Sequence, residues 1–300
     1  MGGGNWTSQN WTSYHTSSIN GKSAKQIYSS NKMQDKYNPA MIAVRESRDN
    51  VDHENSTPII LGLDVTGSMN DILEAVANGL GILVEGIYSK LPVSDPQVMF
   101  AAIGDAFVDS APLQVTQFES DIRIAEQLKD LWFEGGGGGN GSESYPLTWL
   151  FVKDKVETDN FEKRDKKGFI FTMGDDGWPS RLTKEQVSEF LGISTNEDVD
   201  VQSLLEEVSR KWEVFHLCLR QGQTYRDSDL SKWQRLLGER AIPVTDHTKI
   251  PEIIISILET VAGKSVDDIV NSWDGSTGIV VNAAISGLST RSQGTGVVKL

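Results

Sequence analysis

Cysteine is almost missing from this chain: Cys218 is the only one in 300 residues, so no internal disulfide can staple the fold. Basic residues are scarce as well. Lys and Arg number 28 against 42 Asp and Glu, a formal net charge of −14 at pH 7, which argues against a general binder of nucleic acid or of an anionic membrane surface. No uninterrupted apolar run approaches the roughly 20 residues of a membrane helix, and 253–258 is only a short core stripe. The opening Met1-Gly-Gly-Gly-Asn-Trp has neither the basic nor the apolar region of a secretory leader. No nucleotide-binding Gly-x-x-x-x-Gly-Lys-Ser/Thr occurs. His15, His53 and His247 share no ligand-like spacing, which argues against a zinc site. The expectation is a soluble, cytoplasmic chain with no nucleic-acid or membrane partner.

What is present is enough apolar content, 38%, to bury one sizeable core. Residues 1–57 read as a polar N-terminal arm with six basic and five acidic side chains, so the negative charge belongs to the rest. Within it Asn5-Trp-Thr-Ser and Asn10-Trp-Thr-Ser repeat at a five-residue period. Two tryptophans in a polar arm suit docking on a partner or on the chain's own body, and a loose terminus is the plain alternative. From Pro58 short apolar runs alternate with helical periods, the mark of a parallel sheet with crossover helices. Strands are expected at 59–63, 97–103, 113–118, 168–173, 212–219 and 241–244. A long one-faced helix follows from Ile72, Leu73, Val76, Leu80, Leu83, Val84 and Ile87 at three- and four-residue steps. Further helices are expected at 121–132, 146–156, 183–191, 199–211, 229–237 and 250–261, the third opened by the capping box Thr183-Lys-Glu-Gln186. The body spans 58–263, and 264–300 is a C-terminal extension read as a helix, an irregular segment and a strand.

In an open parallel sheet, sites form beyond the carboxyl ends of the strands, and three segments end there. Ile59-Ile-Leu-Gly-Leu-Asp64-Val-Thr66-Gly-Ser68-Met69 brings a carboxylate to a strand tip with two hydroxyls at alternate positions. Hard cations such as Mg²⁺ take oxygen ligands of this kind; a strand-end Asp and a Ser capping the next helix is the plain alternative. The loop Glu134-Gly-Gly-Gly-Gly-Gly-Asn140-Gly-Ser142-Glu143-Ser144-Tyr145 reads either as a linker or as backbone packed close to a ligand or another loop. The segment Gly168-Phe-Ile-Phe-Thr172-Met-Gly-Asp175-Asp176 ends a core strand in paired carboxylates, of which one faces the crevice. His216 and Cys218 read as core residues of their strand.

Asp64-Val-Thr66-Gly-Ser68-Met69 after a hydrophobic strand, the Gly-rich second loop and the later Asp175 resemble the von Willebrand factor A domain with its metal-ion-dependent adhesion site, of the intracellular bacterial or phage type. The likeness covers about residues 58–263 and implies a doubly wound, mostly parallel α/β sheet, Rossmann-like, with helices on both sides. It implies Mg²⁺, with Mn²⁺ or Ca²⁺ as alternatives, held by Thr66 and Ser68 hydroxyls with Asp64 and Asp175. Thr66 stands where the family has Ser. The second loop lacks the family's Thr, so Glu143 is the substitute ligand with Ser142 beside it, and Asp176 is the alternative to Asp175. The function implied is Mg-dependent protein–protein interaction, not catalysis. The partner supplies an acidic side chain; an AAA+ ATPase, a component of a larger assembly and self-association are the partner classes such domains suggest. The enzyme alternative uses the same residues. Asp64-Val-Thr66-Gly-Ser68 also resembles the aspartyl-phosphate motif of haloacid-dehalogenase-like phosphotransferases, with Asp64 as nucleophile, Asp175 and Asp176 near magnesium, and Lys166 or Lys167 steadying phosphate.

Overall fold

The computed structural model describes residues 3–136 and 139–289. Six strands form the main sheet: β1 (Thr57–Asp64), β2 (Pro96–Ile103), β3 (Leu113–Val115), β4 (Gly168–Gly174), β5 (Trp212–Leu219) and β6 (Ala241–Val244). They lie in the order β3-β2-β1-β4-β5-β6, and every neighbouring pair is parallel except β2 with β3. The fold is thus α/β, a mostly parallel central sheet flanked by helices.

Successive strand side chains point to opposite faces, so each buried run feeds two cores. Ile59, Leu61, Leu63, Phe169, Phe171 and Met173 join one buried cluster, while Ile60, Ile170, Val214 and Cys218 join another. Helices cover both. In chain order the larger ones are α1 (Ser8–Ser18), α2 (Asn70–Lys90), α3 (Tyr145–Lys155), α4 (Asp227–Leu237), α5 (Ile250–Val261) and α6 (Gly275–Ile285). The first cluster takes side chains from α2, α5 and α6; Trp149 of α3 and Trp233 of α4 belong to the second. All seven apolar residues that spell out the period of α2 are buried. At Gly79 and Gly86 of α2 a Cβ would lie 2.6 Å from Pro251 Cγ and 2.3 Å from Ile255 Cδ1, so α5 packs closer than any larger residue would permit.

Three expectations need correction. Gly67–Lys90 is, by length and a mean hydropathy of 1.3, apolar enough to cross a membrane, although half of its most apolar window is buried. It escapes a search for unbroken apolar runs because polar residues interrupt it. The strand at 113–118 stops at Val115: the Thr116 hydroxyl accepts the Phe100 N–H at 2.8 Å, where the ladder would offer a carbonyl, and pairing resumes at the Val98–Glu119 bridge. The helix at 199–211 is shorter, Val201–Val208, because Val199 and Asp200 pair with Leu182 and Arg181 and the Asp200 carboxylate caps the helix through Ser203 N–H at 2.9 Å.

Residues 3–57 lie on the body. Ile19, Ile27, Tyr28 and Tyr37 are buried in the first cluster, with Trp6, Trp11 and Tyr14 packed partly buried against it. The Trp6 and Trp11 rings sit 5.4 Å apart, and Trp11 covers Gly81, whose Cβ would lie 2.0 Å from the indole nitrogen. Arg45–Ser47 pairs in parallel with Val156–Thr158. In the extension, Ile269, Val281 and Ile285 join the same cluster; the strand expected near the end of the chain lies outside the described residues.

Trp11→Ala is expected to lower stability by about 2 kcal/mol, read as a shift of the urea midpoint; an unchanged midpoint would show that the arm's packing contributes nothing. A second expectation concerns acid. Asp49 accepts hydrogen bonds from Arg164 at 2.8 and 3.0 Å and from the Ser56 backbone and hydroxyl at 3.0 and 2.8 Å. The Arg164 guanidinium above all holds this carboxyl well below its ordinary value of 3.8. Because the folded carboxyl is the stronger acid, its contribution is complete above the ordinary value and is lost as pH falls below it. Urea midpoints measured from about pH 7 to about pH 2.5 should fall less steeply on the acid side in Asp49→Asn than in the parent chain.

Candidate metal centre

All eight residues of β1 are buried, and Asp64 at its tip is 0% exposed. Three donors hold the carboxylate. Oδ1 accepts the Thr66 N–H at 2.9 Å and the Thr66 hydroxyl at 2.6 Å, and Oδ2 accepts the Tyr145 hydroxyl at 2.9 Å. Burial, opposed by the Thr66 hydrogen bonds and reinforced by the charge of Asp175, pushes Asp64 up to about 7.

Neither the turn Gly67–Met69 nor α2 behind it receives a side-chain cap, so the cap reading of Ser68 is replaced by another bond. Its hydroxyl donates to Asp175 Oδ1 at 3.1 Å and lies 3.3 Å from Thr66 Oγ1. Two hydroxyls after β1 and carboxylates from the tips of β1 and β4 therefore meet. The other oxygen of Asp175 accepts the Thr224 N–H at 2.9 Å, and a Cβ on Gly222 would lie 2.1 Å from the Asp175 Cβ. Asp176 turns differently: Oδ2 accepts the Thr224 hydroxyl at 3.1 Å, its backbone carbonyl accepts the Trp233 indole N–H at 3.0 Å, and Oδ1 has no hydrogen-bond partner among the described residues.

The glycine-rich loop lies against the first loop backbone to backbone. Gly67 N–H donates to the Gly136 carbonyl at 3.1 Å, and a Cβ on Gly67 would lie 3.2 Å from the Gly135 carbonyl oxygen. Past the run, Ser142 bridges to Gly177, and Glu143 N–H donates to the Gly177 carbonyl at 3.0 Å. Glu143 is 3% exposed, and its Oε2 and the buried Ser142 Oγ have no hydrogen-bond partner among the described residues. Burial first, then the charges of Asp64, Asp105, Asp176 and Asp109, push Glu143 up to about 10. Burial likewise raises Asp176.

Several residues here went unread in the sequence. Asp105, 0% exposed, follows β2, accepts the Asn140 side-chain N–H at 2.7 Å and lies in the same acidic group; the strand-end rule that selected Asp64 would also have found it. Tyr145 reads as the last residue of the glycine-rich loop, although it opens α3, and Thr224 falls in no expected element; neither carries a local signal for its bond to a distant carboxylate. Lys166 and Lys167 precede β4, at the end of the strand opposite to Asp175, and Lys167 Nζ donates to the Ser209 carbonyl at 2.6 Å. His216 is a neutral core histidine, its pKa driven down by burial. Its Nδ1 lies 2.8 Å from the Thr172 hydroxyl, its ring stacks on Trp233 at 3.6 Å, and the Tyr145 ring meets it edge-on at 4.9 Å.

Among the described residues no three Asp, Glu, His or Cys side chains are placed to hold a metal ion by themselves. A cation here would draw on the Thr66 and Ser68 hydroxyls, and the unpartnered oxygens of Glu143, Asp176 and Ser142 fit a site that lacks positive charge.

No family model and no curated protein matches the sequence. Among solved structures the chain is similar to the pilus adhesin SpaC from Lactobacillus rhamnosus GG in its open conformation, 12% identical over 75% of this chain and 31% of the adhesin, with a TM-score of 0.46. It is also similar to proximal thread matrix protein 1 from the mussel byssus, 10% identical over 68% of this chain and 47% of that protein, with a TM-score of 0.45. The chain thus spans less than half the length of either.

Removing the Tyr145 hydroxyl leaves Asp64 Oδ2 without its donor. Tyr145→Phe should cost about 1–3 kcal/mol, measured by urea unfolding without added metal. Gly174→Ala should cost at least as much, since its Cβ would lie 1.9 Å from the Tyr145 hydroxyl and 2.8 Å from Asp64 Oδ2. Stability unaltered in both variants would mean that this bond does not hold Asp64.

Proposed function

We propose that the chain is a doubly wound α/β interaction module of the von Willebrand factor A type, working through a divalent cation, Mg²⁺ in the first instance, and a partner's carboxylate. The strand order supports the doubly wound reading: it reverses between β1 and β4, the neighbouring strands whose carboxyl tips carry Asp64 and Asp175. The observation that carries the function is the meeting of the Thr66 and Ser68 hydroxyls, uncommitted to helix capping, with Asp64 and Asp175 at that point.

The chain's residues divide the work. Thr66 and Ser68 would present hydroxyl oxygens, and Asp175 would turn toward the same volume the oxygen it now gives to Ser68. Asp64, with both oxygens occupied, would orient the Thr66 hydroxyl. Glu143, Ser142 and Asp176 would complete the wall from the second and third loops. When bound, the ion supplies positive charge and a coordination position for an outside carboxylate. Full burial of Asp64, with its oxygens turned to Thr66 and Tyr145, favours the ligand-positioning reading over attack on a phosphoryl group.

Calorimetry on the chelated protein should report one divalent site. Asp64→Ala should abolish it, Ser68→Ala should weaken it at least about tenfold without changing net charge, and Glu143→Gln should weaken it less. A parent protein that takes up no Mg²⁺, Mn²⁺ or Ca²⁺ at millimolar concentration would sink the proposal.

A further inference from the structure

Phe107 and Val108 are 64% and 58% exposed, side by side in sequence, whereas the other large hydrophobics this exposed among the described residues stand singly. Exposing a phenylalanine and a valine together leaves apolar area in water that the fold makes no use of. The turn that carries them is held firmly. Asp105 Oδ1 accepts the Phe107 N–H at 2.9 Å, and the Asp105 carbonyl accepts the Val108 and Asp109 N–H groups at 3.1 and 2.8 Å. Asp109 Oδ2 accepts the Asp105 N–H in return at 2.7 Å. Ala106 N–H donates at 2.9 Å to the hydroxyl of Ser144, the residue after Glu143, which fixes the turn to the second loop of the candidate site. Both aspartates are buried while the two apolar side chains between them point out. A knob displayed on so ordered a backbone loses little conformational entropy when it is covered.

A second feature lies along the same loop. Arg226 is exposed, its guanidinium 3.4 Å from where a Gly141 Cβ would be, and it makes no hydrogen bond or ion pair with its side chain among the described residues. The loops thus set an apolar knob and an exposed cation, whose charge already favours the ionised forms of Asp176 and Asp229, beside the acidic centre.

We propose that the Asp105–Asp109 turn is the apolar part of a docking face whose occupant is a protein segment carrying a carboxylate next to an apolar side chain, Arg226 adding attraction for the acid. The carboxylate anchor of this face rests on the cation reading above, and the apolar part is read as the affinity it adds to that anchor. Charge favours this occupant over a nucleic acid, whose many phosphates would meet a body of net charge −14.

The test uses the full chain with two small probes, acetate and 4-phenylbutyrate, titrated in millimolar Mg²⁺ and in EDTA by ligand-observed NMR. Both should bind only with Mg²⁺, phenylbutyrate about tenfold tighter. That advantage should vanish in the Phe107→Ser/Val108→Ser variant, with acetate and Mg²⁺ affinities unchanged, and Arg226→Gln should weaken both probes. Equal affinity for the two probes, or an advantage that survives the double substitution, would overturn the role of the turn. Absence of Mg²⁺ uptake, or acetate binding that persists in EDTA, would instead overturn the cation reading. A Mg²⁺-dependent dimer abolished by the double substitution would make the occupant a second copy of this chain and overturn the assignment to a separate segment.

Discussion

Asp64, Glu143, Asp175 and Asp176 are all taken out of water at the carboxyl edge of the sheet, and none forms an ion pair among the described residues. A buried carboxylate without a cation costs free energy unless hydrogen bonds replace its hydration, and the neighbouring loops are arranged around that need. The first loop folds Thr66 back onto Asp64, the second sends the Tyr145 hydroxyl to it, and the loop after β5 gives Asp175 and Asp176 the Thr224 amide and hydroxyl. Glycines stand where these approaches leave no room, Gly174 against Tyr145 and Asp64, Gly222 against Asp175. Glu143 and Asp176 are each left with one oxygen unpartnered among the described residues, and four acidic neighbours raise the pKa of Glu143.

The rest of the molecule supplies the rigidity this requires. Beneath the second loop an aromatic stack of Tyr145, His216, Trp233 and Trp149 fills the space between α3, α4 and β5. Such close-packed side chains have few alternative rotamers, so the Tyr145 hydroxyl is held where Asp64 needs it. On the other face the close contact of α2 with α5, and of Trp11 with α2, ties the N-terminal residues to the same core. Because α2 begins directly behind Ser68, anything that steadies α2 also steadies the first loop.

Charge and apolar surface are divided along the loops. The acids are buried in the centre, Phe107 and Val108 stand out on a turn stitched together by two of those acids, and Arg226 lies exposed along the second loop. The buried aspartates of that turn thereby serve a structural purpose whatever fills the centre: they bond the turn's own amides and keep its side chains outward.

The sequence by itself determined the places of the six sheet strands, though it ran the one at 113–118 three residues too far, the buried stripe of α2, the capping box at Thr183 and the position of Asp64, Thr66 and Ser68 at a strand tip, because each is written in neighbours a few residues apart. Period, cap and strand end are local properties of the backbone, and local interactions are what a linear pattern records. It left open whether Trp11 meets the body or a partner, whether Asp175 or Asp176 faces the first loop, and whether Ser68 caps α2 or bonds a carboxylate. It carried no local sign of Tyr145 or Thr224 as partners of those carboxylates, and Asp105 went unread although it stands just past a strand end, where Asp64 stands at one. Those answers belong to the tertiary structure, since they depend on which strands lie side by side. The pairing of β1 with β4 brings Ser68 to Asp175 across 107 positions of chain, and Tyr145 reaches Asp64 across 81. Spacing in sequence carries no measure of such distances, because they are set by the order in which the strands pack and bury their side chains.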